Sequence, residues 1–205
     1  MPEPLTFTGG LAATNAYLLD LGGHLLAIDA PEGFLDFLKK KKIKPDSLLL
    51  THGHWDHIWD AADLAEWAKC PVYYHPDTAF LCLQPDSMLA FGLPQKLRPT
   101  RATQHLEENT PLPTGWSDAQ ILHVPGHCPG SICLYFPASG QLFGGDVLFA
   151  DGVGRWDLPG GSREVLLDGI RKKILPLPPQ TIVYPGHGPA TTVGQEKHSN
   201  PFLAV

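Results

Sequence analysis

Charge is scarce in this chain. Asp, Glu, Lys and Arg make up 18% of its 205 residues, and 21 acidic side chains outnumber 15 basic ones, for a net charge of -6. Binding to a nucleic-acid backbone rests on clustered cations. The one basic run, Lys39-Lys40-Lys41-Lys42, follows the amphipathic segment Phe34 to Leu38, where lysines in a last helical turn complement the helix dipole. No nucleic-acid partner is expected. Long apolar runs are also missing: none approaches the roughly 18 residues that span a bilayer, and the N-terminus lacks the charged start and apolar centre of a secretory signal. The expectation is a cytoplasmic protein without a membrane partner. Cysteine is sparse too, and Cys70, Cys82, Cys128 and Cys133 show no Cys-x-x-Cys spacing. Reduced, structural thiols are expected, with Cys128, beside His127, the one that a nearby metal would activate. Finally, there is no Gly-x-Ser-x-Gly elbow, no Walker loop and no dinucleotide fingerprint. The usual serine nucleophile and nucleotide-binding devices are therefore excluded.

What remains is an ordinary globular composition, with 43% hydrophobic residues, enough for one continuous core in a single domain over residues 1–205. Tyr17-Leu18-Leu19 and Leu25-Leu26-Ala27-Ile28 flank Gly22-Gly23 and predict a β-hairpin, and Pro31 opens an amphipathic helical stretch. Strands are expected at Ser47–Leu50, Val72–Tyr74, Ile121–Val124, Ser131–Phe136, Gln141–Gly144 and Thr181–Tyr184, and helices at Ile58–Ala68 and Glu164–Ile174. Five prolines between residues 84 and 120 predict a long loop. Alternating strands and helices favour a layered α/β architecture.

The densest chemistry lies in Thr51-His52-Gly53-His54-Trp55-Asp56-His57, four transition-metal ligands in a bend that follows an apolar strand. Three later segments repeat the grammar of strand, glycine bend and ligand: Pro125-Gly126-His127, Gly144-Gly145-Asp146 and Pro185-Gly186-His187. Each later bend alone is weak, because Pro-Gly and Gly-Asp pairs are common turns. Together the four supply His52, His54, Asp56, His57, His127, Asp146 and His187. A closed structural zinc site needs only four ligands. Seven suit two divalent ions about 3.5–4 Å apart, with a carboxylate spanning both, and Asp146 is the natural bridge. Imidazole and carboxylate accept zinc, the first expectation, but also iron or manganese.

These residues, with Gly145-Asp146-Val147-Leu148-Phe149, Gly154-Arg155-Trp156-Asp157-Leu158-Pro159-Gly160-Gly161 and the ending Asn200-Pro201-Phe202-Leu203, resemble the metallo-β-lactamase superfamily. Within it they resemble the compact bacterial form of the glyoxalase II group, the hydroxyacylglutathione hydrolases. The resemblance implies an αββα four-layer sandwich with metals at one edge. It implies His52, His54 and His127 on one ion, Asp56, His57 and His187 on the other, and Asp146 bridging, with Asp56 and Asp146 as the catalytic carboxylates. It further implies hydrolysis of a small-molecule thioester such as S-D-lactoylglutathione by hydroxide generated between the ions. Arg155 stands where glyoxalase II enzymes carry a Lys that contacts glutathione, and Asp157 where the long enzymes commonly carry a Tyr. Lys96, Arg98 and Arg101 are weaker candidates for that contact, and Asp29 is a candidate partner behind a ligand imidazole. His24, His75, His105, His123 and His198 read as structural or solvated. Competing readings are an iron-dependent persulfide dioxygenase, a lactonase or β-lactamase, and a noncatalytic metal-binding protein. Either a monomer or a small homo-oligomer is compatible with the sequence.

Overall fold

The computed structural model of the protein describes residues 2–116 and 118–203. Strands β1 (Leu5–Gly9), β2 (Thr14–Asp20) and β3 (Leu25–Ile28) form an antiparallel meander. Onto it β4 (Ser47–Leu49), β5 (Val72–Tyr74) and β6 (Gln104–His105) add in parallel. Helices α1 (Phe34–Lys41), α2 (Trp55–Ile58), α3 (Ala61–Ala68) and α4 (Ala79–Leu83) fill the connections. The second half supplies β7 (Gln120–His123), β8 (Ile132–Phe136), β9 (Gln141–Gly145), the small hairpin β10 (Leu148–Phe149) and β11 (Gly152–Val153), α5 (Arg163–Gly169), β12 (Ile182–Pro185), β13 (Thr191–Thr192) and α6 (Val193–Ser199). These build a five-stranded sheet in the order β13-β12-β9-β8-β7, with β12 parallel to β9 and the other neighbours antiparallel.

Strands that are apolar on both faces require a layer on each side, and successive side chains point to opposite faces. In β2, Ala16 and Leu18 join the core beneath α1 and α3, whereas Tyr17 and Leu19 join the core between the sheets. In β8, Ile132, Leu134 and Phe136 meet that inter-sheet core, and Cys133 and Tyr135 face the core formed with α5 and α6. The result is the expected αββα sandwich. Among the described residues no helix is long and apolar enough to cross a membrane.

Three local expectations need correction. The hairpin is part of a three-stranded meander, because the exposed, weakly apolar β1 pairs with β2 from Leu5↔Leu18 to Gly9↔Thr14. The single helix expected over 58–68 is two, because the Asp60 N–H donates to the Ala30 carbonyl (2.8 Å) and so leaves the helical ladder. The 84–120 segment is not a free loop. It contains the short 3-10 turn Pro85–Phe91 and β6, and buries Met88, Leu93, Leu106 and Trp116.

Asp60 also ties α1 to the start of α3 by accepting the Leu35 N–H (2.9 Å) with its carboxylate. Burial raises its carboxyl to about 6 despite that bond. A raised folded-state value means the ionised form is disfavoured by folding, a penalty absent below the unfolded value near 4 and complete above about 6. Asp60→Asn keeps an acceptor for Leu35 and removes the charge. Its melting temperature is expected to exceed wild type at pH 8 and the difference to shrink at pH 5, measured by thermal denaturation at both pH values.

Candidate metal centre

Four strand ends deliver the ligands to one edge of the inter-sheet space. β4 runs through Leu50, whose N–H still donates to the Tyr73 carbonyl (2.9 Å), and then the chain bends. That bend carries His52 and His54 and enters α2, whose first turn holds Asp56 and His57. β7, β9 and β12 lead to His127, Asp146 and His187. The bend before His127 needs glycine, since Gly126 has φ +124° and an added Cβ would fall 2.4 Å from the Leu166 nitrogen of α5.

All seven sequence-predicted ligands meet here, in three overlapping groups: His52, His54 and His127; His52, His57 and Asp146; Asp56, His57 and His187. His127 Nε2 lies 2.8 Å from His54 Nδ1 and 3.2 Å from His52 Nε2, and His57 Nε2 lies 3.4 Å from His187 Nε2. Tetrahedral ligands on an ion at about 2.1 Å stand about 3.4 Å apart. Asp146 lies between the groups. Its Oδ1 is 3.2 Å from His57 Nε2, and its Oδ2 is 3.4 Å from both His127 Nε2 and His187 Nε2. Asp56 Oδ2 approaches His57 and His187 at 3.4 and 3.3 Å and accepts the Thr14 hydroxyl at 2.7 Å.

The outer ring nitrogens explain why the inner ones converge. His127 Nδ1–H donates to the Arg155 carbonyl (2.7 Å), His187 Nδ1–H to the Ala12 carbonyl (3.1 Å), and His57 Nδ1–H to Asp29 Oδ2 (2.8 Å). Asp29 also takes the Thr51 N–H (2.7 Å) and the Thr51 hydroxyl proton (2.8 Å). Having given that proton away, Thr51 Oγ1 must accept from His52 Nδ1–H (3.1 Å). Four imidazoles thus point Nε2 inward. Two lone pairs 3.2 Å apart repel unless a cation or proton lies between them. The buried Asp146 Oδ1 makes no properly directed hydrogen bond, although His57 Nε2 is within 3.2 Å; contact without alignment leaves it an orphaned acceptor. Lone pairs and an unmatched carboxylate oxygen facing one another fit two divalent cations.

The electrostatics divide the ligands. Burial holds His52 well below its ordinary value, aided by His57, and depresses His54 to about 3, aided by His127; His127 is lowered by burial as well. Burial acts the same way on His57 and His187, but the carboxylates outweigh it. Asp56, Asp146 and Asp29 hold His57 well above its ordinary value, and hydrogen bonds with Asp146 and Asp56 raise His187 to about 10. Burial would push both carboxyls up, yet His57 and His187 hold Asp56 at about 2 and Asp146 well below the usual range. Without metal, then, protons on the second group compensate the two carboxylates.

Arg155 is at this centre in two ways, one of which the sequence did not reveal. Its carbonyl holds His127, while its guanidinium reaches the rim and makes a two-pronged bond with Asp157, Nε–Oδ1 2.7 Å and Nη2–Oδ2 2.8 Å. That bond occupies one edge of the guanidinium and leaves Nη1 outside it. Lys96 pairs with Asp86 (3.5 Å), and Arg98 with Asp63 and Glu66. Cys128 is fully buried, and burial raises its thiol where no metal is bound. His75, Asp77 and His123 also cluster, but their chemistry differs. The two rings stack at 3.9 Å and 19°, His75 Nδ1 caps the Asp77 N–H, and His123 Nε2–H donates to the Pro129 carbonyl. That stack is structural. Thr14, the Ala12 carbonyl and the pocket-lining Trp55, Phe80 and Leu81 were not singled out for the site by sequence, and Met88 and Phe91 line the pocket from the segment expected as a long loop.

A family model described as the metallo-beta-lactamase superfamily matches residues 11–187. The hydroxyacylglutathione hydrolase GloC of Haemophilus influenzae is 37% identical over 193 residues, covering 92% of this chain and 87% of that protein. Among solved structures, BLEG-1 B3 metallo-beta-lactamase aligns with a TM-score of 0.88 at 36% identity, over 99% of this chain and 100% of that one. TTHA1623 in a di-iron-bound form aligns at 0.86 and 40% identity, over 97% and 100%. The similar proteins thus differ in stated activity.

Gly186 packs against the centre so tightly that a Cβ would fall 2.2 Å from Asp146 Oδ1 and 2.7 Å from His57 Cε1. Gly186→Ala must therefore displace both side chains. Its metal affinity is expected to fall at least about 10-fold, measured by competition with a chromophoric chelator, with the far-UV spectrum retained.

Proposed function

This chain belongs to the metallo-beta-lactamase superfamily, and from that premise we propose that it is a dinuclear metallohydrolase that cleaves a thioester, S-D-lactoylglutathione or a related hydroxyacylglutathione. The observation that carries this reading is the convergence of inward Nε2 nitrogens on two sides of Asp146. His52, His54 and His127 would hold one ion, and Asp56, His57 and His187 the other, with Asp146 between them; zinc is the first choice and iron or manganese the alternatives. Two such ions, when bound, supply what the side chains lack, an activated water near neutral pH and polarisation of the carbonyl.

The remaining work falls to the protein. Asp29, the Arg155 carbonyl and the Ala12 carbonyl fix three rings in the tautomer that points Nε2 inward. Thr14 orients Asp56 through its hydroxyl. Both carboxylates stay ionised across the physiological range because His57 and His187 face them. Asp56 and Asp146 contribute the negative charge that binds two cations in a buried setting. Trp55, Leu81 and Met88 line the cavity above the ligands with apolar surface. A thiol leaving group with a pKa near about 8.5 departs without a dedicated acid, which suits a site whose buried titratable groups are all committed to one another.

Support for glutathione as the thiol comes from the relative GloC, whose name carries that activity. The test follows loss of thioester absorbance from S-D-lactoylglutathione with metal-analysed protein. Wild type is expected to turn over, and Asp56→Ala to lose at least about 100-fold in kcat/KM, at or beyond the upper end of the loss seen when a partner behind a ligand is removed. Two bound metals per chain without thioester hydrolysis overturns the reading. Oxygen consumption with glutathione persulfide would then assign the site to dioxygenation.

A further inference from the structure

The wall opposite the metal ligands is apolar, and this has a bearing on the thiol. A cavity of about 320 Å³ opens over His54, Asp56, His127, Asp146 and His187. Its other side is built by Trp55, Phe80, Leu81, Met88, Phe91 and Leu158. Phe80 and Phe91 are 57% and 51% exposed, although each has a face turned to the cavity, and Leu89 beside them is 43% exposed. These side chains come from α4 and the Pro85–Phe91 turn. Met88 and Leu93 anchor that turn in the core, so the aromatic rings are presented on a fixed base.

Glutathione carries charged carboxylates that call for cations at the end of the pocket. Among the described residues lining this cavity, Arg155 is the one Lys or Arg, and the Nε–Nη2 edge of its guanidinium already holds Asp157. A substrate carboxylate would meet a cation already offset by a carboxylate tethered two residues away, with the Nη1 side left to bind it. An apolar arm meets no such competitor. It would cover exposed aromatic surface in a cavity whose volume and lining suit a small organic group, and removing that surface from water is favourable in proportion to its area.

Building on thioester hydrolysis but departing from glutathione as the preferred thiol, we propose that Phe80, Met88 and Phe91 form a subsite for an apolar thiol arm, and that the protein prefers thioesters of uncharged aromatic or aliphatic thiols to those of glutathione. The reaction is hydrolysis: the C–S bond breaks, water supplies the oxygen of the new carboxylate, and the thiol leaves with a proton from the same water or from solvent. The test holds the acyl group constant. S-D-lactoyl benzyl thiol and S-D-lactoylglutathione are compared on wild type, Phe80→Ala and Phe91→Ala, both substitutions at half-exposed positions.

Wild type is expected to show a kcat/KM at least about 10-fold higher for the benzyl thioester, and each variant to lose about 10-fold on that substrate, the scale of one aromatic contact. The loss on the glutathione thioester is expected to be several-fold smaller. A preference for glutathione, or equal losses on both substrates, overturns the subsite while leaving thioester hydrolysis intact. Binding is measured in parallel with the corresponding thioethers, in which a methylene separates sulfur from carbonyl and nothing is cleaved. Tighter binding of the benzyl thioether, lost in Phe80→Ala and Phe91→Ala, supports the subsite even if neither thioester turns over, in which case the hydrolytic reading alone fails. Equal or weaker binding than the glutathione thioether overturns it.

Discussion

A buried imidazole can aim one nitrogen at a cation only if the scaffold satisfies the other, and in this protein the outer nitrogens are met from both halves of the chain. Asp29 is the central anchor. It receives His57, and through Thr51 it fixes the direction of His52, so a single carboxylate sets two rings. It sits just after β3 with φ +58°, a left-handed conformation uncommon for a residue with a side chain. Turning the backbone there swings the carboxylate beneath β4, where it also receives the Thr51 N–H. The local backbone cost is offset by three hydrogen bonds that no extended residue at that position would make.

The same arrangement explains how a centre dense in charge tolerates an apolar ceiling. Asp56 and Asp146 are neutralised from within by the imidazoles around them, so little charge has to be met by solvent or by distant lysines. Phe80 and Phe91 can then rise beside the ligands without stranding an ion in low dielectric. The Arg155–Asp157 pair closes the remaining side with a cation and an anion of its own, while the Arg155 backbone serves His127.

Much of the centre was legible in the sequence because each ligand follows an apolar strand and a glycine bend, and both signals are local. The layered fold was legible for the same reason: Leu48-Leu49-Leu50 and Ile132–Phe136 are apolar at every position, as strands between two covered faces must be. What was not legible is whatever depends on a partner distant in sequence. Nothing in Leu5–Gly9 marks a strand until β2 lies beside it. The break at Asp60 comes from the Ala30 carbonyl, and the role of Thr14 from Asp56 on another element. Arg155 illustrates both sides, since its position suggested a contact with substrate, whereas Asp157, which holds one edge of its guanidinium, stood out in the sequence only for replacing a Tyr of the long enzymes.

The pairing of His52 with His127 and of His57 with His187 spans 75 and 130 residues. Tyr17 reaches the Pro185 carbonyl across 168 residues, and Thr14 forms a bridge with His187. Such contacts are the last that a growing or refolding chain can make, because loop closure must precede them. The cluster His52 to His57 emerges early in synthesis and can offer a metal only an incomplete set of donors until β12 docks. A full metal complement, once bound, would therefore report that both sheets have closed on one another, which would make the centre a seal on assembly.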